Sequence, residues 1–334
     1  MEKQRLIWAD SLKGWLMVLV VLGHAIQCVM PEGCFNNRLW NIIYSFHMPA
    51  FMAISGWFAF KPSKHKGGGN FNIIRRRFCQ LIIPFILWTL IPMTLSLNFT
   101  LDGFIRVFLY PDTSFWFLWV LFWISVIFTC CRWIASKLKT DELITNVLMA
   151  MLLLGIMVTF ELRMFGFQFL AYYFAFYVLG YCIHRFHRLR IKKVWIGVVF
   201  TATWAFLAWF WNMHRLPLWL EGIPYVPGTL LQYAYRGATA LIAVVALLSF
   251  SERLFNSTAQ FNLAMRWIGT VSLGVYVCHL TILGKINNML GEVCTCSVTV
   301  NIAVLFMVGL LLSLAIIGLL AKYKLTSKFL LGKL

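Results

Sequence analysis

Charge is what this sequence has least of. Only 12% of its 334 residues are Asp, Glu, Lys or Arg, against 61% that are hydrophobic. A soluble domain of this length could not bury so much apolar surface, so a water-soluble globular fold is excluded and a polytopic membrane protein is expected. Acidic residues are scarcer than basic ones, 11 against 29, which leaves a net charge of +18. In a soluble protein that excess would suggest nucleic acid. Here the cations sit in short segments between apolar runs, so they are assigned to membrane orientation and no nucleic-acid partner is expected. The chain has no internal repeat and no low-complexity tract, and its longest polar stretch is 61–77, with Gly67, Gly68 and Gly69 as a flexible loop. The whole of 1–334 therefore reads as one integral membrane domain with no appended soluble domain.

Metal-site spacing is also missing. Of nine Cys, the pair in Cys294-Thr295-Cys296 has no partner pair, so no metal is expected. Cys79, Cys130, Cys131, Cys182 and Cys278 fall in or beside apolar runs, where Cys behaves as a small apolar residue. Cys28, Cys34, Cys294 and Cys296 gather near the predicted outer face and leave room for one disulfide. The opening apolar run is no signal peptide: it is too long, contains Asp10 and Lys13, and lacks a small-residue cleavage site. It is expected to stay as the first span.

What the chain has in abundance is apolar runs of bilayer length, about ten of them: roughly 11–30, 40–60, 78–98, 115–133, 143–160, 165–184, 194–211, 229–249, 267–286 and 300–321. The gap 99–114 suits a short interfacial helix. With the N-terminus inside, the inner segments hold 22 Lys and Arg and the outer segments only Arg38, Arg106, Arg163 and Arg215. That bias predicts an all-α, polytopic membrane helix bundle of about ten transmembrane helices with both termini cytoplasmic.

The first run carries a carboxylate, an ammonium and an imidazole, which are costly in a membrane helix and usually face a bundle interior or a water-filled cavity. At about 100° per residue, Lys13 and His24 lie within roughly 20° of each other and Asp10 within roughly 40° of His24. At about 1.5 Å per residue, His24 sits roughly 16 Å deeper than Lys13. Asp10 is too far below His24 to touch it and is expected to orient Lys13 at i+3. Topology then brings His24, His47, His279 and Arg236, from four different runs, to one depth in the outer half of the bilayer. A site at that depth, reached from inside along the Lys13 stripe, suits chemistry between a cytoplasmic donor and an outer acceptor.

Each candidate also has a plainer reading. His47, in Phe46-His47-Met48-Pro49, either lines the site or satisfies a carbonyl freed by Pro49. His279 either serves the site or joins two helices by a hydrogen bond. Arg236 needs a partner, either substrate or an acid. The aromatic run 115–123, which contains Trp116, reads first as an interface belt and packing face. Arg75, Arg76 and Arg77 are a topology determinant in part; their guanidinium forks also match phosphate oxygens, with Lys13 as a further cation.

Taken in order, these segments resemble the acyltransferase-3 family of integral membrane acyltransferases. The pieces are Asp10-x-x-Lys13-Gly14 running to Gly23-His24, Phe46-His47-Met48-Pro49 to Ser55-Gly56, and Arg75, Arg76 and Arg77 before Leu81-Ile82-Ile83-Pro84. Trp116-Phe117-Leu118, Leu179-Gly180-Tyr181, and Ser272-Leu273 to Tyr276 and His279 complete the set. The opening is most like the branch of fucose 4-O-acetylases and relatives. Lys13 and His24 match the family's pattern of a basic residue, ten others and a His, whereas Gln80 stands where a second Arg is often found.

The resemblance implies transfer of an acyl group, usually acetyl from acetyl-CoA, to a hydroxyl of an extracytoplasmic glycan or lipid-linked saccharide, in a bacterial cytoplasmic membrane. Acetyl-CoA is then a co-substrate, with no permanently bound cofactor. Lys13, Arg75, Arg76 and Arg77 are expected to meet its phosphates, and the pantetheine arm to run along the first span to His24. His24 acts as general base, or is acylated first as a nucleophile. Tyr276, His279 and Arg236 are the candidates for stabilising the oxyanion. Asp10, His47, Trp116 and Arg236 support the site or face the acceptor. The competing class is a transporter exporting a glycan precursor or a small acid; against it stand the missing repeat and the lack of paired broken spans.

Overall fold

The computed structural model describes residues 6–60, 70–95, 99–160, 162–186, 194–224, 226–256, 259–293 and 297–332. The Gly67-Gly68-Gly69 loop, Cys294 and Cys296, and the cations Lys3, Arg5, Lys61, Lys64, Lys66, Arg188, Arg190, Lys192, Lys193 and Lys333 lie outside the described residues. Every regular element among them is helical: α1 (Ile7–Val29), α2 (Arg38–Tyr44), α3 (His47–Trp57), α4 (Asn70–Arg77), α5 (Ile83–Leu95), α6 (Leu101–Leu109), α7 (Trp116–Leu138), α8 (Glu142–Phe160), α9 (Phe167–Arg185), α10 (Val194–Trp209), α11 (Gly228–Phe255), α12 (Gln260–Thr270), α13 (Ser272–Val293), α14 (Val298–Leu320) and α15 (Lys324–Phe329). Seven of the described helices are long and apolar enough to cross a membrane, eight if the bent pair α12–α13 is one span. The protein is thus a polytopic helix bundle, as its hydropathy predicts.

The two other apolar runs take forms that hydropathy does not distinguish. The run 194–211 is the 16-residue helix α10. The run 40–60 is broken into α2 and α3 at Ser45 and Phe46. The break is pinned by hydrogen bonds: Ser45 Oγ donates to the Ile42 carbonyl at 2.7 Å and accepts from Trp204 Nε1 at 3.2 Å. Pro49 then falls in the first turn of α3, where its missing N–H costs nothing. The run 267–286 bends by 81° between α12 and α13. The Asn70–Thr94 span is continuous through a π-turn, Phe78–Ile82, that precedes Pro84 and absorbs its missing donor. The interfacial helix expected in the gap 99–114 is α6, capped by Thr100 Oγ1, which accepts from Gly103 N at 3.1 Å; none of its residues is buried.

The chain divides into two compact units, one of Met1–Phe51 with Leu189–Leu319, the other of Met52–Arg188 with Leu320–Leu334. In the first unit α1 and α12 cross with their backbones in contact. A Cβ on Gly14 would overlap the Met265 carbonyl, and one on Gly269 would overlap the Asp10 carbonyl. Small residues allow this approach in membranes, where packing rather than water drives helix association. The same unit packs Gly197 of α10 under the Phe250 ring of α11. Cys28 and Cys34 are free thiols.

The second unit repeats the device: a Cβ on Gly56 of α3 would strike the Tyr177 carbonyl of α9, and one on Gly180 of α9 the Ala53 carbonyl. At one end of α7, α8 and α9 lies an ionic network. Arg132 Nε bonds Glu142 at 2.7 Å, the buried Tyr181 hydroxyl donates to the other Glu142 oxygen, and Arg185 forks onto Asp141 at 2.5 and 2.6 Å. Asp141 lies between the α7 and α8 spans, and the Arg185 guanidinium beside it holds its carboxyl below the usual carboxylate range.

Candidate active site

The first unit brings three histidines from three helices together. His24 stands five residues before the end of α1 and is half-buried. Its ring lies 5.1 Å, centroid to centroid, from that of His279 on α13, at an interplanar angle of 48°. Tyr44, the last residue of α2, is the hinge of the group: its ring is 6.3 Å from His24 and 4.7 Å from His47, both edge-on, and it stacks at 3.7 Å on Trp40. Tyr276, one turn before His279, has its ring 5.9 Å from it. Among the described residues no group of three or more His, Cys, Asp or Glu is arranged to hold a metal ion.

The hydrogen bonds of the buried rings fix their tautomers. His279 is fully buried, and its Nδ1 lies 3.0 Å from the Val275 carbonyl, which only accepts; Nδ1 therefore carries the proton. Nε2 of the neutral ring is then a lone pair, and it has no hydrogen-bond partner. His279 donates from Nε2 to an oxyanion only once protonated there. His47, also buried, uses Nδ1 in the same way on the Ile43 carbonyl at 2.7 Å. That is the local, backbone-satisfying reading of His47, with the ring nonetheless against Tyr44.

At the start of α1, Lys13 Nζ is 2.6 Å from Asp10 Oδ1, the i+3 pair the spacing predicts. Asp10 is buried where α1 meets Gly269 of α12, so its position is set by the glycine crossing. Arg236 on α11 has its guanidinium 5.6 Å from the Trp211 ring and 5.9 Å from that of Tyr233. Trp211 packs in one cluster with Ile26, Cys34, Trp40 and Tyr235, so Arg236 adjoins the wall that Trp40 shares with Tyr44.

The remaining candidates belong to the second unit. Arg75, Arg76 and Arg77 form the last turn of α4, the first two exposed, and the π-turn follows at once. Trp116, the first residue of α7, stacks on Phe169 at 4.7 Å and on Tyr173 at 5.3 Å, a packing role consistent with the aromatic run. Two residues beside His24 escape a search for motifs, Gln27 and Tyr44. The Tyr44 hydroxyl donates to Gln27 Oε1 at 3.4 Å, and Gln27 follows His24 by three residues on α1. The signal that could have found Gln27 is its i+3 spacing from His24.

Comparison with known proteins decides the family. A family model described as an acyltransferase domain, acyltransferase-3, matches residues 6–322. The chain belongs to this acyltransferase family. Its apolar helices fit the multi-pass membrane protein that this family membership suggests. It is similar to nodulation protein NolL of Sinorhizobium fredii, with 36% identity over 131 residues, and to nodulation protein NolL of Mesorhizobium japonicum, with 31% identity over 128 residues. Each alignment takes in 34% of this chain and 32% of the relative, so the acyltransferase spans about a third of the length of the curated proteins it matches. No solved structure matches it.

Proposed function

We propose that this acyltransferase moves an acetyl group from cytoplasmic acetyl-CoA to a hydroxyl of an extracytoplasmic glycan or lipid-linked saccharide, in a bacterial cytoplasmic membrane, with His24 as its base. One observation carries the reading: a half-buried imidazole, His24, stands beside the buried, unpartnered Nε2 of His279, on the same stripe of α1 as the Lys13–Asp10 ion pair. Neutral imidazole accepts a proton near neutral pH. The unprotonated His24 nitrogen takes the acceptor hydroxyl's proton while its oxygen bonds the acyl carbon. The thioester C–S bond breaks, and the proton passes to sulfur, leaving an ester and CoA thiol. Tyr276, and His279 when protonated on Nε2, stabilise the oxyanion; His47 holds the Tyr44 side of the group, and Arg236 with Trp211 faces the acceptor. Lys13, oriented by Asp10, is a cation for the donor on α1. Arg75, Arg76 and Arg77 supply guanidinium forks for the phosphates of CoA, and Trp116 supports the second unit by stacking.

The test uses purified protein in liposomes with acetyl-labelled acetyl-CoA. CoA release that is lost in His24→Ala, in a variant that still folds, is the expected result. Label retained on the wild-type protein would make His24 a nucleophile in a two-step route rather than a base in direct transfer. Replacing Arg75, Arg76 and Arg77 by Gln should abolish thermal stabilisation by acetyl-CoA. Wild-type protein that neither binds acetyl-CoA nor releases CoA, with or without candidate glycans, would overturn the reading in favour of a transporter.

A further inference from the structure

We infer that Asn287 is a positioning residue for the proposed reaction: its amide ties α13 to the end of α1 and so holds His279 against His24, an assignment that rests on the reading of His24 as the base. The two rings lie 5.1 Å apart, centroid to centroid. Nδ1 of His279 is taken by the Val275 carbonyl and Nε2 has no partner, so no hydrogen bond joins the rings to each other. Their apposition is inherited from the helices that carry them, α1 and α13, which pack together. In a membrane, apolar contact between helices gives little advantage over contact with lipid, so close backbone packing and polar ties decide how two helices sit. One such tie is direct: Asn287 Nδ2 donates to the Cys28 carbonyl at 3.2 Å.

The sequence prepares both partners. α1 ends at Val29, with Pro31 two residues on, so the Cys28 carbonyl is among the last four of the helix and has no intrahelical donor. A carbonyl only accepts, so the Asn287 atom that faces it is the amide nitrogen. The grip of α12 on α1, with Gly269 against the Asp10 carbonyl, fixes where the next helix begins. The 81° bend that follows leaves the roll of α13 about its own axis to contacts further along. Asn287 makes one of these, about 12 Å beyond His279 along the axis and about 80° round it. On α1 the bonded carbonyl lies about one turn beyond His24. Releasing α13 at Asn287 lets it roll or tilt away from α1, and the His279 ring goes with it. A misplacement of about 1 Å at a reacting group costs about 10²-fold in rate.

The experiment compares wild type, Asn287→Leu, Asn287→Asp, Asn287→Gln, Asn287→Ser and His24→Ala in full-length protein in liposomes, with acetyl-CoA as the probe and released CoA as the readout. Asn287→Leu should lose about 10²-fold in kcat with an unchanged KM for acetyl-CoA. Asn287→Asp, of the same shape but without the amide donor, should fall with it, and gives the same comparison should the Leu protein fail to fold. Gln and Ser keep a donor at 287, and one of them at least should recover most of the loss. The exposed neighbour is the control: Asn288→Leu should turn over as wild type does. A lowered Tm with kcat unchanged in the folded protein, or recovery by neither donor, overturns the assignment and leaves Asn287 as a tie for the end of α1. A second readout needs no acyl donor: the through-space cross-peak between the His24 and His279 rings in solid-state NMR of histidine-labelled protein, identified by its loss in His24→Ala. It should weaken in Asn287→Leu or Asn287→Asp and return with a donor. An unchanged cross-peak would refute the positioning role whatever becomes of the chemistry, and His24→Ala with undiminished CoA release would instead refute the base.

Discussion

The two units are joined internally by the same device and differ in how their polar groups are paired. Each has a pair of helices locked by two glycines that face each other's carbonyls, Gly14 with Gly269 in the first and Gly56 with Gly180 in the second. The second unit pairs its charges, Glu142 taking bonds from Arg132 and Tyr181 and Asp141 from Arg185, and leaves Asn146 Oδ1 buried without a hydrogen-bond partner. Among the described residues of the first unit, Trp40 Nε1, Trp211 Nε1, Asn41 Oδ1 and His279 Nε2 are buried without a hydrogen-bond partner. Each such orphan costs about 1–3 kcal/mol. A fold tolerates that where the groups serve something other than stability, and of those in the first unit His279 has its ring against His24 while Trp40 reaches it through Tyr44.

The largest effects should come from breaking the shared device. Gly14→Leu and Gly180→Leu each force a side chain through a neighbouring carbonyl, so backbone must move; a loss of about 3 kcal/mol or more is expected, read as failure to recover monodisperse protein or as a collapsed Tm. Gly318 and Gly155, with nothing within 4 Å of a new Cβ, are the matched controls in the two units, and Ala there should stay within about 1 kcal/mol of wild type. Equal Tm values for Gly14→Leu and Gly318→Ala would show that the α1–α12 crossing is not backbone to backbone.

Next in size are substitutions that should move the two units in opposite senses. Glu142→Ala strands Arg132 and Tyr181 and should cost about 1–3 kcal/mol, with kcat unchanged in what remains folded. Trp40→Phe keeps a ring against Tyr44 and removes an orphaned N–H, so stability should hold or rise by about 1 kcal/mol, while acyl transfer falls. A Trp40→Phe protein that is both less stable and fully active would erase the distinction between the units.

How much of this was legible in the sequence depends on what decides each feature. The Asp10–Lys13–His24 stripe follows from helical period alone, and the 2.6 Å ion pair appears where i+3 spacing puts it. That His24 and His279 meet could be anticipated as a shared depth but not as a shared face, because counting residues from a span's end says nothing of rotation. The breaks at Ser45 and Val271 were hidden because hydropathy averages over a run that Trp204 and the α12 crossing interrupt through single contacts. Beside Arg236, for which an acid or a substrate was the expected partner, lie the Trp211 and Tyr233 ring faces, which no charge pattern announces.

The smallest effect concerns the satisfied network of the second unit and its dependence on pH. Arg185 holds the Asp141 carboxyl below its ordinary value of 3.8 through a two-pronged hydrogen bond. A carboxyl lowered on folding releases its proton more readily in the native state, so its contribution is fully present above the unfolded value and is lost as pH falls through the folded one. The Asp141 side chain is 40% exposed, so solvent screens the pair and the contribution should stay below about 1 kcal/mol. At neutral pH Asp141→Asn should therefore lower the Tm only slightly, and the gap should close as the buffer is taken from about pH 5 towards pH 3, and also as salt is raised. A gap that persists below pH 3 would mean that Asp141 acts through something other than its charge. The polar network of the second unit would then be held by geometry, and the contrast with the first unit would rest on pairing alone.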